Sequence, residues 1–174
     1  MAGLTILRAV SVWYSPCQTW RYLLERDLGE GHGTLNFVML NPSTADAVRN
    51  DPTVTRCIGF ARRWGYRRLL VTNLFALRSP APRLLHEAAD PVGPENDDYI
   101  RRAAGESDRI VVAWGHHGTL RNREAEVLAL LRGRHIEHLG LTRGGQPRHP
   151  LYLPAAAKPL PFRRTWRRTS RRPG

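Results

Sequence analysis

Four short apolar runs, residues 35–40, 69–75, 109–114 and 135–141, alternate along the chain with stretches whose apolar residues recur at helical spacing. Each run is too short for an independent helix and reads as a buried strand. Residues 52–65 (Cys57, Ile58, Phe60, Ala61, Trp64), 96–104 and 122–132 (Val127, Leu128, Leu130, Leu131) read as the helices between them. Strands joined through helices pair in parallel by right-handed crossovers, so the pattern predicts a layered α/β fold on a mostly parallel four-stranded sheet. Ahead of the first run, residues 12–24 read as a strand entering a helix.

The polar residues that end each run carry the functional reading. Asn41-Pro42-Ser43-Thr44, Asn73-Leu74-Phe75, Trp114-Gly115-His116-His117, and the segment from Thr142 to Arg148-His149-Pro150 all follow predicted strands. In a parallel sheet the carboxyl ends share one edge, so these four segments are expected to converge on one crevice. Pro42 lacks an N–H and stops the first strand, and Ser43 or Thr44 is placed to cap a helix beginning near Ala45. Asp51-Pro52-Thr53 reads as a second helix start with proline in the first turn. Asp46 and Asp51 are expected to serve as caps or first-turn charges, with a catalytic carboxylate as the alternative.

Asn41 and Asn73 each end an apolar strand with a side chain that offers both a donor and an acceptor, able to position water or match the edge of a nucleobase. The alternative for both is backbone bonding within a turn. His149 follows the glycine-rich Gly144-Gly145-Gln146-Pro147, a loop able to approach a ligand closely, and could stabilise a developing anion or exchange a proton. His116 is a candidate donor at the crevice, and adjacent His116 and His117 would point to opposite faces of a strand, which argues against a shared metal. His135 and His138 read as structural. The chain contains neither GxGxxG nor GxxxxGK[ST], so the usual dinucleotide and nucleoside-triphosphate fingerprints are missing.

Composition adds bounds. A length of 174 residues with 41% hydrophobic content is most economically one globular domain. No apolar run approaches the roughly 20 residues of a membrane span, and the first residues lack a leader pattern, so a soluble, cytoplasmic protein with no membrane partner is expected. Two cysteines, Cys17 and Cys57, are too few for a disulfide framework or a four-thiolate metal site. The net charge of +12 is concentrated at one end: seven of the 27 Lys and Arg residues lie from Lys158 onward without an acid, leaving +5 for residues 1–157. The expected organisation is one domain over residues 1–157 and a disordered basic tail over residues 158–174. A tail with Arg163, Arg164, Arg167 and Arg168 around Trp166, together with Arg148, suits phosphate contacts and base stacking on DNA or RNA. Its alternative is a solvated end with no partner.

Six blocks in order, LNPSTAD (40–46), DPTVTRC (51–57), NLFALRS (73–79), DPVGPEND (90–97), AWGHHG (113–118) and GQPRHPLYLP (145–154), resemble the bacterial family called domain of unknown function 1643. A more distant resemblance is to the uracil-DNA glycosylase superfamily, whose fold is a three-layer α/β sandwich with a central parallel sheet. Leu40-Asn41-Pro42-Ser43 is similar to the motif that positions the attacking water, and 69–73 to the strand ending in the asparagine that reads the base. Val111-Val112-Ala113-Trp114-Gly115 is similar to a later strand, and His149-Pro150 to the motif whose histidine stabilises the departing base.

The resemblance implies Asn41 and His149 as catalytic residues. Pro42, Ser43, Thr44, Asn73, Trp114, Gly115 and His116 would then line the substrate, in a mechanism that requires no metal or other cofactor. Asn41 stands where the most active glycosylase branch has aspartate and is similar to the mismatch-specific branch. The loop after His149, Leu151-Tyr152-Leu153-Pro154, lacks the serine-rich wedge pattern. The leading expectation is a nucleobase-recognising hydrolase that cleaves an N-glycosidic bond. The alternatives are a non-catalytic nucleic-acid-binding module and a hydrolase of a small nucleoside or nucleotide. Oligomeric state is not legible from the chain.

Overall fold

Phe37-Val38-Met39 alternates its side chains between two apolar layers, and that alternation organises the molecule. The computed structural model describes residues 10–163. Strand β3 (His32–Met39) lies at the centre and pairs in parallel with β4 (Tyr66–Asn73) on one side and β5 (Arg109–Val112) on the other. Strand β6 (Ile136–His138) extends the parallel set beyond β5. These are the four predicted runs, each trimmed at its carboxyl end where the polar segment begins.

The sheet is larger and more mixed than four strands. Strands β1 (Val10–Tyr14) and β2 (Arg21–Asp27) form an antiparallel hairpin that joins β4, and β7 (Leu160–Pro161) pairs antiparallel with β6. The order is β1-β2-β4-β3-β5-β6-β7, seven strands among the described residues. The expected helix within residues 12–24 is therefore corrected to a hairpin. Pro16 cannot donate within a helix. The turn closes instead through Ser15 N–H to the Trp20 carbonyl (3.0 Å) and Trp20 N–H to Ser15 Oγ (3.2 Å), with Gln18 at φ 57°.

Helices cover both faces. Phe37 and Met39 of β3, with Leu69 and Val71 of β4 and Val111 of β5, pack beneath α1 (Pro52–Arg63) through its Val54, Cys57, Phe60 and Ala61. The opposite side chains, Val38, Ile110 and Val112, pack against Ile100 and Ala104 of α3 (Asn96–Gly105) and Val127 of α4 (Arg123–Leu130). Leu85 of the single-turn α2 (Leu84–Glu87) closes that second core.

No helix begins near Ala45. Two buried arginines of β2 claim the loop's carbonyls: Arg21 Nη1 donates to Ala45 O (2.7 Å), and Arg26 Nη2 donates to Asp46 O (2.6 Å). Asp46 Oδ1 takes the Val48 and Arg49 N–H groups (2.8 and 2.7 Å). With both donors and acceptors committed, residues 41–50 form bends but no regular element, and the helix waits for Asp51. That residue, at φ −80° and ψ 171°, caps α1 by accepting the Val54 N–H (2.8 Å), with Pro52 in the first turn.

Leu160 and Pro161, placed by sequence in the basic tail, pair with His138 and Glu137 of β6. The tail's Arg164, Arg167 and Arg168 lie outside the described residues, and Arg163 is exposed. Among the described residues no helix is long and apolar enough to cross a membrane.

Candidate functional site

The chain leaves β3 for β4 on one side and later returns to β5 on the other, so the loops after β3 and β5 part and open a crevice at their carboxyl ends. A cavity of about 540 Å³ occupies that place, within the range of small-molecule sites. All four polar segments reach it: Asn41, Ser43 and Thr44 after β3, Asn73 at the end of β4, Trp114 to His117 after β5, and Thr142, Arg148 and His149 after β6. Pro42 is buried beside the cavity rather than on its wall; its carbonyl accepts from Ser79 N–H (2.9 Å).

Asn41 is held by its donor half. Nδ2 donates to the Pro42 and Ser79 carbonyls (3.1 and 2.9 Å), which ties the β3 turn to the loop after β4. The orientation leaves Oδ1 as the acceptor. Asn73 differs. It is 1% exposed, and its Nδ2 has no partner among the described residues, whereas its backbone carbonyl accepts from Asn96 Nδ2 (3.0 Å). A buried amide donor left without a partner costs about 1–3 kcal/mol, and Asn73 is among the residues that line the cavity.

His149 sits before the short 3-10 turn Pro150–Tyr152, and its Nδ1 accepts the Leu151 N–H (3.3 Å). That bond places the proton of the neutral ring on Nε2. Burial lowers the His149 pKa below its ordinary value, with the Asp51 carboxylate opposing the shift. At neutral pH the ring is thus an uncharged Nε2–H donor.

Trp114, 1% exposed, forms a wall of the cavity and is also a core side chain. Its Nε1 donates to Gln146 Oε1 (2.8 Å) and its ring meets Phe162 edge-on at 6.2 Å. Gly115 follows with φ 73°, a conformation that favours glycine; its N–H donates to Pro147 O (2.7 Å), which draws the His149 loop toward β5. His116 and His117 lie in a 3-10 turn rather than a strand, so their rings meet, tilted by 39° with centroids 3.9 Å apart, instead of facing opposite ways. Burial lowers the His117 pKa, and the neighbouring His116 and His86 lower it further. Arg148 is exposed at the rim, where Nη2 donates to Tyr152 O (2.9 Å). His138 is buried and structural, with Nδ1 accepting the Gly140 N–H (3.0 Å).

Asp51 is the one carboxylate on the cavity wall among the described residues. Both of its oxygens are engaged by backbone: Oδ1 by Val54 N–H and Oδ2 by Ala45 N–H at 3.4 Å. That matches its expected capping role. Among the described residues no group of three or more histidine, cysteine, aspartate or glutamate side chains is arranged to hold a metal ion.

Arg21 is the lining residue that sequence reasoning missed. Between Trp20 and Tyr22-Leu23-Leu24 it is a charge inside an apolar stretch, which was the available signal. Its direction was hidden by a β-bulge: Trp13 pairs with Leu23 but Tyr14 with Arg21, so Arg21 faces the same side as Leu24 and Arg26. Leu151 and Tyr152 also line the cavity, and Tyr152 is 73% exposed at its mouth.

Comparison with curated proteins found no match, and comparison with solved structures found none either. The family described as "Protein of unknown function (DUF1643)" matches residues 21–151, from Arg21 to the Leu151 beside His149, and the chain belongs to that family.

Proposed function

We propose that the cavity recognises a nucleobase and hydrolyses the N-glycosidic bond that holds it. The observation that carries this reading is the complementary state of three side chains that line one cavity: an acceptor at Asn41 Oδ1 and a donor at Asn73 Nδ2, both without a partner among the described residues, and a neutral Nε2–H donor at His149. A base edge presents acceptors that suit the Asn73 donor. A water held by Asn41 Oδ1 attacks the sugar carbon that carries the base, its oxygen forming the new C–O bond. The C–N bonding pair leaves with the base, where His149 Nε2–H stabilises the developing charge. The proton lost by the water ends on the departing base.

An amide orients water without taking its proton, and Asp51 is occupied by backbone donors, so this chemistry relies on leaving-group stabilisation and turns over slowly. The distant likeness of the quoted motifs to the uracil-DNA glycosylases supports the same assignment, as an analogy of sites. The exposed Tyr152 beside Arg148 favours, as a second reading, a module that binds nucleic acid without cleaving it.

Incubation with nucleosides, their 5′-monophosphates and single- and double-stranded oligonucleotides, followed by chromatography of free bases, tests the proposal. Base release by the wild-type chain that is lost in Asn41→Ala and His149→Ala supports it. Absence of release from every substrate, or release unchanged in both variants, overturns it.

A further inference from the structure

Two arginines of β2 face the loop over residues 45–50, and their guanidinium groups are used differently. Arg26 is engaged through all three nitrogens: Nε donates to Asn50 Oδ1 (2.8 Å), Nη1 to Glu25 O (3.0 Å) and Nη2 to Asp46 O (2.6 Å) and Arg49 O (3.4 Å). Arg21 is 2% exposed and lines the cavity, yet among the described residues its side chain makes one hydrogen bond, from Nη1 to Ala45 O. Its Nε is buried without a partner, and no carboxylate among the described residues forms an ion pair with it. Asp51 is the acid whose charge acts on it, and that carboxylate is already accepting from Val54 and Ala45 N–H.

Arg148 shares the cavity with Arg21, and the rings of His116, His117 and His149 line it as well, against Asp51 as the one acid among the described lining residues. The first turn of the twelve-residue α1 also opens onto it. Pro52 has no N–H, Asp51 takes those of Val54 and Thr55, and the Thr53 N–H, at the positive end of the helix, has no partner among the described residues.

We propose that Arg21 is a phosphate-recognising residue and that the ligand of the cavity is a free nucleotide whose phosphate it receives; the nucleoside part of this assignment rests on the base-recognition reading above. A guanidinium this buried is reached by the end of a small molecule. A phosphate in mid-strand carries a sugar on each side and does not reach so far. Arginine's fork is suited to two phosphate oxygens at once, which a lysine's point charge does not reproduce.

Titration calorimetry of the full chain with the four ribonucleosides and their 5′-monophosphates tests this without requiring turnover, so a failure of the hydrolase reading leaves the result interpretable. The expected result is a preference for a monophosphate over its nucleoside of about tenfold or more, reduced in Arg21→Lys and abolished in Arg21→Met. Inorganic phosphate is expected to compete with the monophosphate on the wild-type chain while leaving nucleoside binding unchanged, which decides the matter if Arg21→Met does not fold. Equal affinity for nucleoside and monophosphate, no monophosphate binding, a preference that survives in Arg21→Met, or inorganic phosphate without effect overturns the proposal. So does Arg21-dependent binding confined to an oligonucleotide that lacks terminal phosphates.

Discussion

Asn41 Nδ2 donates to the Ser79 carbonyl across 2.9 Å, joining the turn after β3 to the loop after β4. The same nitrogen donates to Pro42 O. The turn asparagine is thus both a structural tie and the source of a free acceptor on the cavity wall. Asn41→Asp removes the donor and sets a carboxylate oxygen against two carbonyls. It is expected to destabilise the chain by about 1–3 kcal/mol at pH 7, measured by urea unfolding against Asn41→Ala. Unchanged stability would show that the amide tie does not form.

The pH dependence of stability follows from His149. Its folded pKa lies below the ordinary 6.5 because burial disfavours the charged ring. As pH falls, the unfolded chain therefore takes up the proton first. The contribution of His149 is complete above about pH 6.5 and is lost as pH falls through the lowered folded value. Urea midpoints are expected to fall between pH 7.5 and pH 5, with part of the slope removed in His149→Gln. His117, lowered in the same direction, supplies a further part that His117→Gln removes.

Gly118 is fitted against Trp114. A Cβ at that position would lie 2.1 Å from Trp114 Cδ1, and the indole is packed and bonded to Gln146. Gly118→Ala is expected to cost about 1–3 kcal/mol and to shift the tryptophan emission as the ring moves. A stability equal to the wild type would contradict the packing described for the cavity wall.

The two thiols are expected to react very differently. Hydrogen bonds with Ser15 and Thr19 hold the exposed Cys17 thiol down to about 7, whereas burial pushes the Cys57 thiol far up. Iodoacetamide at pH 7.5 is expected to label Cys17 alone in the native chain, as read by peptide mass, and Ser15→Ala is expected to slow it. Labelling of Cys57 at a similar rate would contradict its burial in the core.

The parallel centre of the sheet was legible because β3, β4 and β5 carry continuous buried apolar runs, Leu35 with Phe37–Leu40, Leu69–Val71 and Ile110–Val112. The added antiparallel strands were not. Residues 21–26 mix Arg21, Glu25 and Arg26 with apolar side chains, and Leu160-Pro161 has no pattern at all. Asn41, Asn73 and His149 were legible as strand-end residues because topology alone brings such ends to one edge. Arg21 was not, since a bulge reversed the parity by which its face would have been assigned. The missing helix at Ala45 has the same origin: the side chains that unwind it come from β2, about twenty residues away.

The central claim is that Asn73 and His149 meet one bound base. Side-chain amide and imidazole resonances of ¹⁵N-labelled protein, followed while free nucleobases are titrated, test it most directly. The account predicts that the Asn73 Nδ2 and His149 Nε2 signals shift together with a single dissociation constant for at least one base. Saturation by a base that leaves both signals in place, or two unrelated dissociation constants, would contradict it.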